Sequence, residues 1–483
     1  MVFPDKVEFE SMRKGYVVPV VLKVNADEFT PIELFYNLNG NNKFLLESAE
    51  YGKKWGRYSF LGYDPYMIVK SYKDMILIVS EDGVKTENGK VLDMVKDYFK
   101  KYRYCSKINW SQAGIPAFTG GAVGYVGYDI IRLYENIPDN NPDELQLPEC
   151  YLMFYREVII YDHFYHNLYL VYNAMPEEDI EYEQIIERLY QLKKIVLRRA
   201  DLHPLPVDRK TDLEHRANYD EKSFCEKVRK AVEYIRAGDI FQVVLSQRMT
   251  VAAGVDPFSA YRRLRALNPS PYLFYIDFGD FYLVGSSPES LVAVRNGTVT
   301  TNPIAGTRPR GKTPEEDERL KLELLADEKE RAEHVMLVDL GRNDVGKVSE
   351  FGSVKVERFM EVDMYSHVMH IVSTVSGRLK QGKTCIDALL ACLPAGTVSG
   401  APKIRAMEII DELEETRRGI YAGAVGYLGF RDNMDFCIAI RTIIFKDGMA
   451  YIQSGAGIVY DSVPEKEYRE TLNKAMALKE VLG

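Results

Sequence analysis

With 483 residues, 46% hydrophobic and 28% charged, the chain has ordinary globular composition and enough length for two to three domain-sized units. A formal charge of −9 argues against a nucleic-acid or anionic-membrane partner, and an anionic small substrate would need a metal or local positive charge to offset that field. No apolar run reaches membrane-spanning length, the charged start MVFPDKVEFESMRK lacks the apolar core of a signal peptide, and six cysteines without a CxxC read as reduced thiols, so the expected location is the cytoplasm.

Strand-like alternation dominates the first half, in MIVKSY (67–72), MILIVS (75–80) and REVIIYDHFYHNLYLVYN (156–173). From Glu178 to Arg199 the period turns helical, with Ile180, Ile185, Leu189, Leu192 and Val196 on one stripe. The polar, proline-bearing run DLHPLPVDRKTDLEHRAN (201–218) reads as a linker, dividing the chain into an N-terminal unit (1–200) and a C-terminal unit (215–483). A helix striped by Phe224, Val228, Val232 and Ile235 and closed by Gly238 opens the second unit. Thr313, Pro314 and Glu316 form a helix start, and the helical pattern then runs without a break to Asp339. Thr384 and Asp387 give a capping-box variant before Ala388–Leu393, and Pro402 opens a helix through Leu413. GAVGYVGYD at Gly121 echoes GAVGYLGF at Gly423, a short repeat compatible with duplicated halves or with chance.

Two charged patterns carry chemistry. Glu330 and Glu333 are three apart, as are Glu467 and Glu470, with Lys474 on the latter's helical face one turn on. Two carboxylate pairs on two helices can converge on one divalent cation, and hard oxygen ligands suit Mg²⁺; the plainer alternative is two solvated helix faces. GTRPRGKT (306–313) formally matches a phosphate loop and brings in a nucleotide-hydrolase hypothesis. Backbone chemistry disfavours it: Pro309 and Pro314 remove amides where phosphate would be cradled, and Arg308 and Arg310 add bulk.

PIAGTRPRG (303–311), EHVMLVDLGRND (333–344), HVMHIVSTVSG (367–377), LPAGTVSGAPK (393–403), YAGAVGY (421–427), QSGAGIV (453–459) and EKEYRETLNKA (465–475) occur in this order. Together they resemble the chorismate-utilising enzymes, most of all the large subunits of anthranilate synthases. The resemblance is dense over about 220–480, and LLESAEYGKKWGRYSFLGYDP (45–65) resembles the regulatory segment of those subunits. It implies an α/β (α+β) sandwich with two central antiparallel sheets, outer helices and interwoven sequence halves.

The resemblance also implies roles. Glu333 and Glu470 would bind Mg²⁺, with Glu330 and Glu467 acting through waters. Arg441 and Tyr421 would take the enolpyruvyl carboxylate of chorismate, with Gly455, Ala456, Gly457, Gly306, Thr307 and Lys474 also on the substrate. Glu289 would protonate the departing ring hydroxyl, His370 assist pyruvate loss and Thr397 favour elimination. Each has a plainer reading: Arg441 as a structural ion pair, Tyr421 as a core aromatic, Gly455–Gly457 as a tight turn, Glu289 as a turn glutamate. His367 and His370 are three apart, but no third soft ligand is near in sequence.

Two positions separate family branches. Water users carry a lysine base where Gln242 stands, and aminodeoxychorismate synthases a nucleophilic lysine where Ala305 stands. Ammonia attack with pyruvate loss remains, giving anthranilate. Release of the amino intermediate (amino-deoxyisochorismate) is the close alternative. Lacking a glutaminase cysteine motif, the chain would draw ammonia from a glutamine amidotransferase small subunit. L-Tryptophan is the expected feedback inhibitor, bound by Glu47, Ser48, Asn268, Pro271, Tyr272 and Leu273, with Arg57 as a further contact.

Overall fold

The computed structural model describes residues 1–49, 56–104, 116–199, 204–205, 213–365 and 368–483. Cys105, His367 and most of the expected linker lie outside these residues. Two large sheets run through the chain, and every strand pair that joins their strands is antiparallel. Strands from both halves of the sequence lie in both sheets.

At the middle of the first sheet Phe44–Glu47 pairs with Tyr272–Asp277. Outward on one side come Tyr58–Gly62, Glu157–Asp162, Asn167–Ala174 and Val18–Asn25. Outward on the other come Phe281–Ser287, Thr442–Lys446, Met449–Ile458 and Gln242–Ala252, the same succession taken from the second half. The second sheet repeats this symmetry about Gly121–Val126 and Ala424–Gly429, whose central residues Gly124 and Gly426 face each other. The GAVGY echo is therefore two neighbouring strands related by a local two-fold. Glycine is required there: a Cβ on Gly124 or Gly426 would overlap the carbonyl oxygen of Tyr151 or Asp435 on the next strand.

Three cores follow from which strand faces are apolar. Between the sheets, Phe44, Val158, Ile276 and Leu283 of the first pack on Val123, Tyr151, Met153 and Val425 of the second. The outer face of the second sheet is covered by helices that include Val91–Lys101 and Cys385–Cys392, while Glu221–Ala237 and Lys403–Leu413 pack on Gln242–Ala252 at the far side of the first. Helices that include Tyr182–Val196, Pro257–Leu267 and Pro464–Lys479 cover the first. The result is a sandwich of two antiparallel sheets between helical layers.

Most sequence expectations land on real elements, with two corrections. The helical pattern from Thr313 is interrupted at Asp327, giving Pro314–Ala326 and Glu328–Val348. Asp327 has extended backbone, and its carboxylate accepts from the amides of Lys329 and Glu330, a stronger local cap than the periodicity could overrule. The helix expected at Ala388–Leu393 is Cys385–Cys392, because the Thr384–Asp387 capping box starts it one residue after Thr384. GTRPRGKT forms no phosphate loop: its first residues belong to the strand Ile304–Pro309, paired with Val368–Arg378, and Arg310 and the Gly311 amide are both bound to Asp317. The five described cysteines are free and buried. No helix among the described residues is long and apolar enough to cross a membrane.

Candidate active site

Glu289 follows the strand Phe281–Ser287, and its backbone carbonyl accepts from the Ile438 amide at 3.0 Å, so the main chain is anchored on both sides. The short 3₁₀ turn Gly396–Val398 brings Thr397 Oγ1 to 3.0 Å from Glu289 Oε2, where the hydroxyl donates. Desolvation raises the Glu289 pKa, and the Thr397 bond, Lys474 and Arg441 oppose that rise. A carboxyl in such surroundings holds its proton more readily and can deliver it.

Arg441 lies between the strands Asn433–Ile438 and Thr442–Lys446 in the left-handed region, at φ +51°. Burial pushes its pKa down, with Glu289, Tyr421 and Glu470 pulling the other way. Its Nη1 donates to the Lys474 carbonyl at 3.4 Å, and no ion pair engages it among the described residues. The plainer reading, a structural ion pair, is therefore not met, and Arg441 lines an open cleft with Glu470 and Lys474. Tyr421 is buried beside it, and a Cβ on Gly455 would stand 2.7 Å from the Tyr421 hydroxyl. Gly455, Ala456 and Gly457 form no tight turn; they pair with Ser246, Leu245 and Val244 inside the strand Met449–Ile458. The glycines are dictated by close packing, Gly455 against Tyr421 and Gly457 against the amide of Gln242 at 2.7 Å from a notional Cβ. Gln242 itself is buried and its Oε1 has no partner among the described residues.

The helix Pro464–Lys479 presents Glu467, Glu470 and Lys474 to the same place. Lys474 Nζ donates to the Gly455 carbonyl at 2.9 Å and pairs with Glu470 at 2.7 Å. Across from it, the helix Glu328–Val348 presents Glu330 and Glu333. Burial raises the Glu333 pKa, and the charges of Glu330 and Glu470 raise it further; Glu467 is raised by burial and by Glu470. The two carboxylate pairs thus feel one another. Among the described residues no three acidic or imidazole groups are drawn together tightly enough to enclose an ion. Counter-charge comes from Lys474 on Glu470 and from Arg308 on Glu330 at 3.2 Å, while Glu333 is in no ion pair among the described residues.

His370 closes the other end. Its Nδ1 lies 3.0 Å from both the Gly306 carbonyl and Thr307 Oγ1. A carbonyl can only accept, so Nδ1 carries the proton and Nε2 is left as a free base. Burial lowers the ring's pKa, keeping it neutral. Gly306 takes φ +64° here, and a Cβ would stand 3.1 Å from Glu330 Oε2, so the strand can approach the carboxylate only as glycine.

Leu46, Glu47, Ser48, Pro271, Tyr272 and Leu273 line a cavity of 220 Å³ between the sheets. The paired strands Phe44–Glu47 and Tyr272–Asp277 bring these distant segments together. Ser48 Oγ is buried there without a partner among the described residues, and Glu47 is held by Ser59 at 3.0 Å, Tyr261 at 2.5 Å and Arg265 at 3.0 Å. Two of the expected residues do not line it. Asn268 does not line the cavity; it ends the helix Pro257–Leu267, with its carbonyl accepting from Ser286. Arg57 is clamped to Asp162 at 2.7 and 3.0 Å and faces elsewhere. Sequence reading missed Asn302, Arg358, Asp363, Tyr365 and Asp435 in the wall, because they come from irregular or strand segments with no spacing signal. Tyr272 donates to Asp435 at 3.0 Å, an acid exposed in sequence only as one alternating residue of NMDFCI.

A desolvated acid, an arginine outside any ion pair among the described residues, and facing carboxylate pairs thus share this fold. A sequence profile described as chorismate binding enzyme matches residues 43–480. The chain belongs to the chorismate-binding enzymes. It is 51% identical to the anthranilate synthase component 1 of Acetivibrio thermocellus over 99% of this chain and 98% of that one. It is 42% identical to the component 1 of Bacillus subtilis, over 97% and 93%. In structure it is similar to anthranilate synthase component I of Streptococcus pneumoniae TIGR4, with a TM-score of 0.80, 42% identity and coverage of 94% and 98%. The menaquinone-specific isochorismate synthase MenF of Escherichia coli shares the fold, with a TM-score of 0.71 at 19% identity. The fold alone therefore does not fix the reaction.

Proposed function

We propose that this chain is the chorismate-converting component of an anthranilate synthase. It would add ammonia to the chorismate ring, expel the ring hydroxyl as water, and eliminate pyruvate to leave anthranilate. The observation that carries this reading is Gln242. It is a buried amide beside Gly457 whose oxygen has no partner among the described residues. An amide cannot deprotonate water, but its free oxygen can accept an N–H of an ammonia nucleophile.

The remaining residues take roles that suit their surroundings. Glu289, with its raised pKa, gives its proton to the departing hydroxyl as the C–N bond forms, and Thr397 holds the resulting carboxylate. His370, neutral with Nε2 unprotonated, takes the ring proton as the enolpyruvyl C–O bond breaks and the ring becomes aromatic. Arg441, with Tyr421 beside it, offers a planar fork to the enolpyruvyl carboxylate. Glu333 and Glu470 would hold Mg²⁺, with Glu330 and Glu467 behind them. The fit rests on Glu333, a half-buried carboxylate repelled by two others and in no ion pair among the described residues. When bound, the metal would neutralise the ring carboxylate and polarise the ring. Ammonia would come from a glutamine amidotransferase small subunit. The cavity at Ser48 and Tyr272 would bind L-tryptophan as inhibitor, the unpartnered Ser48 hydroxyl meeting its polar backbone and Pro271, Tyr272 and Leu273 walling the indole.

The test is the nucleophile. Incubated with chorismate, Mg²⁺ and ammonium, the purified chain is expected to give a nitrogen-bearing aromatic product; isochorismate or salicylate as main product would refute the role of Gln242.

A further inference from the structure

Glu470 and Lys474 border an open cleft of 480 Å³ whose other lining residues are Arg441, Lys466, Arg469 and Asn473. Four of these six side chains are cationic and one is anionic, in a chain whose formal charge is −9. Arg441 and Lys474 already have duties at the site. Lys466 and Arg469 do not: both are exposed, and no ion pair or side-chain hydrogen bond engages either among the described residues. They stand three apart on the helix Pro464–Lys479, whose opposite face buries Thr471, Ala475 and Leu478 against the sheet. The helix cannot turn them away from the cleft without exposing that face.

We infer that Lys466 and Arg469 form a cationic entrance that gathers the dianionic substrate and passes it inward to Arg441. The inference deepens the proposed function and rests on its reading of the substrate as a dianion. An acidic protein repels such a ligand at long range, so capture needs a local region of opposite sign. Charges on a cleft mouth concentrate the field there and raise the encounter rate by about tenfold or more. Their reach is about one Debye length, near 10 Å at 0.1 M salt. A solvated basic pair serving only solubility would leave substrate capture unchanged.

The experiment is steady-state turnover of chorismate at constant free Mg²⁺, in low and high salt, by wild type, the double variant Lys466→Gln/Arg469→Gln, and Arg469→Glu. The double variant is expected to lose about three- to tenfold in kcat/KM near 20 mM salt, more for Arg469→Glu, and to approach wild type above about 0.5 M, where the field is screened. Its kcat at saturating substrate should stay within about twofold, because neither side chain touches the reacting atoms. Arg469→Lys, which keeps the charge, should behave as wild type. An unchanged salt slope in the double variant, or a loss confined to kcat, would overturn the entrance. Wild-type protein that consumes no chorismate at any salt would instead overturn the proposed function, and the inference with it.

Discussion

At the scale of single residues, the Glu289–Thr397 contact makes the sharpest statement about pH. Burial raises the Glu289 pKa and the Thr397 hydrogen bond lowers it. As a general acid, Glu289 must be protonated, so activity is lost as pH rises through its pKa. Thr397→Val removes the stabilising donor to the carboxylate, and the alkaline limb of kcat/KM against pH should move to higher pH. A limb that stays put, or moves down, would show that this carboxyl does not govern the profile. The carboxylates give a second prediction. Glu333→Gln or Glu470→Gln keeps shape but removes charge, and each should cut kcat by about a hundredfold or more with the fold intact by circular dichroism. Retained turnover in both variants at saturating Mg²⁺ would remove them from the cation's shell.

These residues were legible one by one because they stand in dense motifs. Glu289, Thr397, Arg441, His370 and the four glutamates could be named from sequence, but the Glu289–Thr397 bond could not, since 108 residues separate the pair. Nor could the sequence expose the orphaned oxygen of Gln242, which depends on burial by strands far along the chain.

At the scale of elements, the strand Met449–Ile458 shows why its glycines are fixed. A methyl on Gly455 would stand 2.7 Å from the Tyr421 hydroxyl and 2.9 Å from the Leu245 carbonyl. Gly455→Ala should therefore cost about 1–3 kcal/mol in urea unfolding, and adding Tyr421→Phe should recover part of it. Purely additive losses would mean that the backbone contact alone decides the strain. The cavity behaves likewise as an element-level feature. Pro288 and Ser290 line it while Glu289, between them, bonds Thr397 instead. Ile304 and Val372 line it two residues from Gly306 and His370. Far apart in sequence, the two sites share strands, so occupancy of one has a short path to the other. Ser48→Phe fills the cavity and should raise the tryptophan concentration for half-inhibition by about tenfold or more, equivalent to about 1.4 kcal/mol of lost binding, with uninhibited turnover largely kept. Equal sensitivity in the variant, or no tryptophan binding to the wild type by calorimetry, would make the segment structural. Here Glu47, Ser48, Pro271, Tyr272 and Leu273 line one cavity while Arg57 and Asn268 do not, because ion pairing with Asp162 and a helix end are decided by tertiary neighbours.

At the scale of the whole molecule, the internal two-fold explains why sequence order misleads. The eight-residue echo was the one visible trace of a symmetry that organises both sheets, since side chains diverge where only backbone spacing is required. Each sheet is closed at its middle by a pair of strands from opposite halves. Residues 1–200 and 215–483 expressed separately should each fail to show a cooperative thermal transition, and should regain one when combined. Independent cooperative folding of either piece would contradict the interleaving.

The central claim is the reaction, and the most direct measurement follows both products. Purified protein with chorismate, Mg²⁺ and ammonium should release fluorescent anthranilate and pyruvate in equal amounts. Chorismate consumed to an amino product without pyruvate would contradict the account.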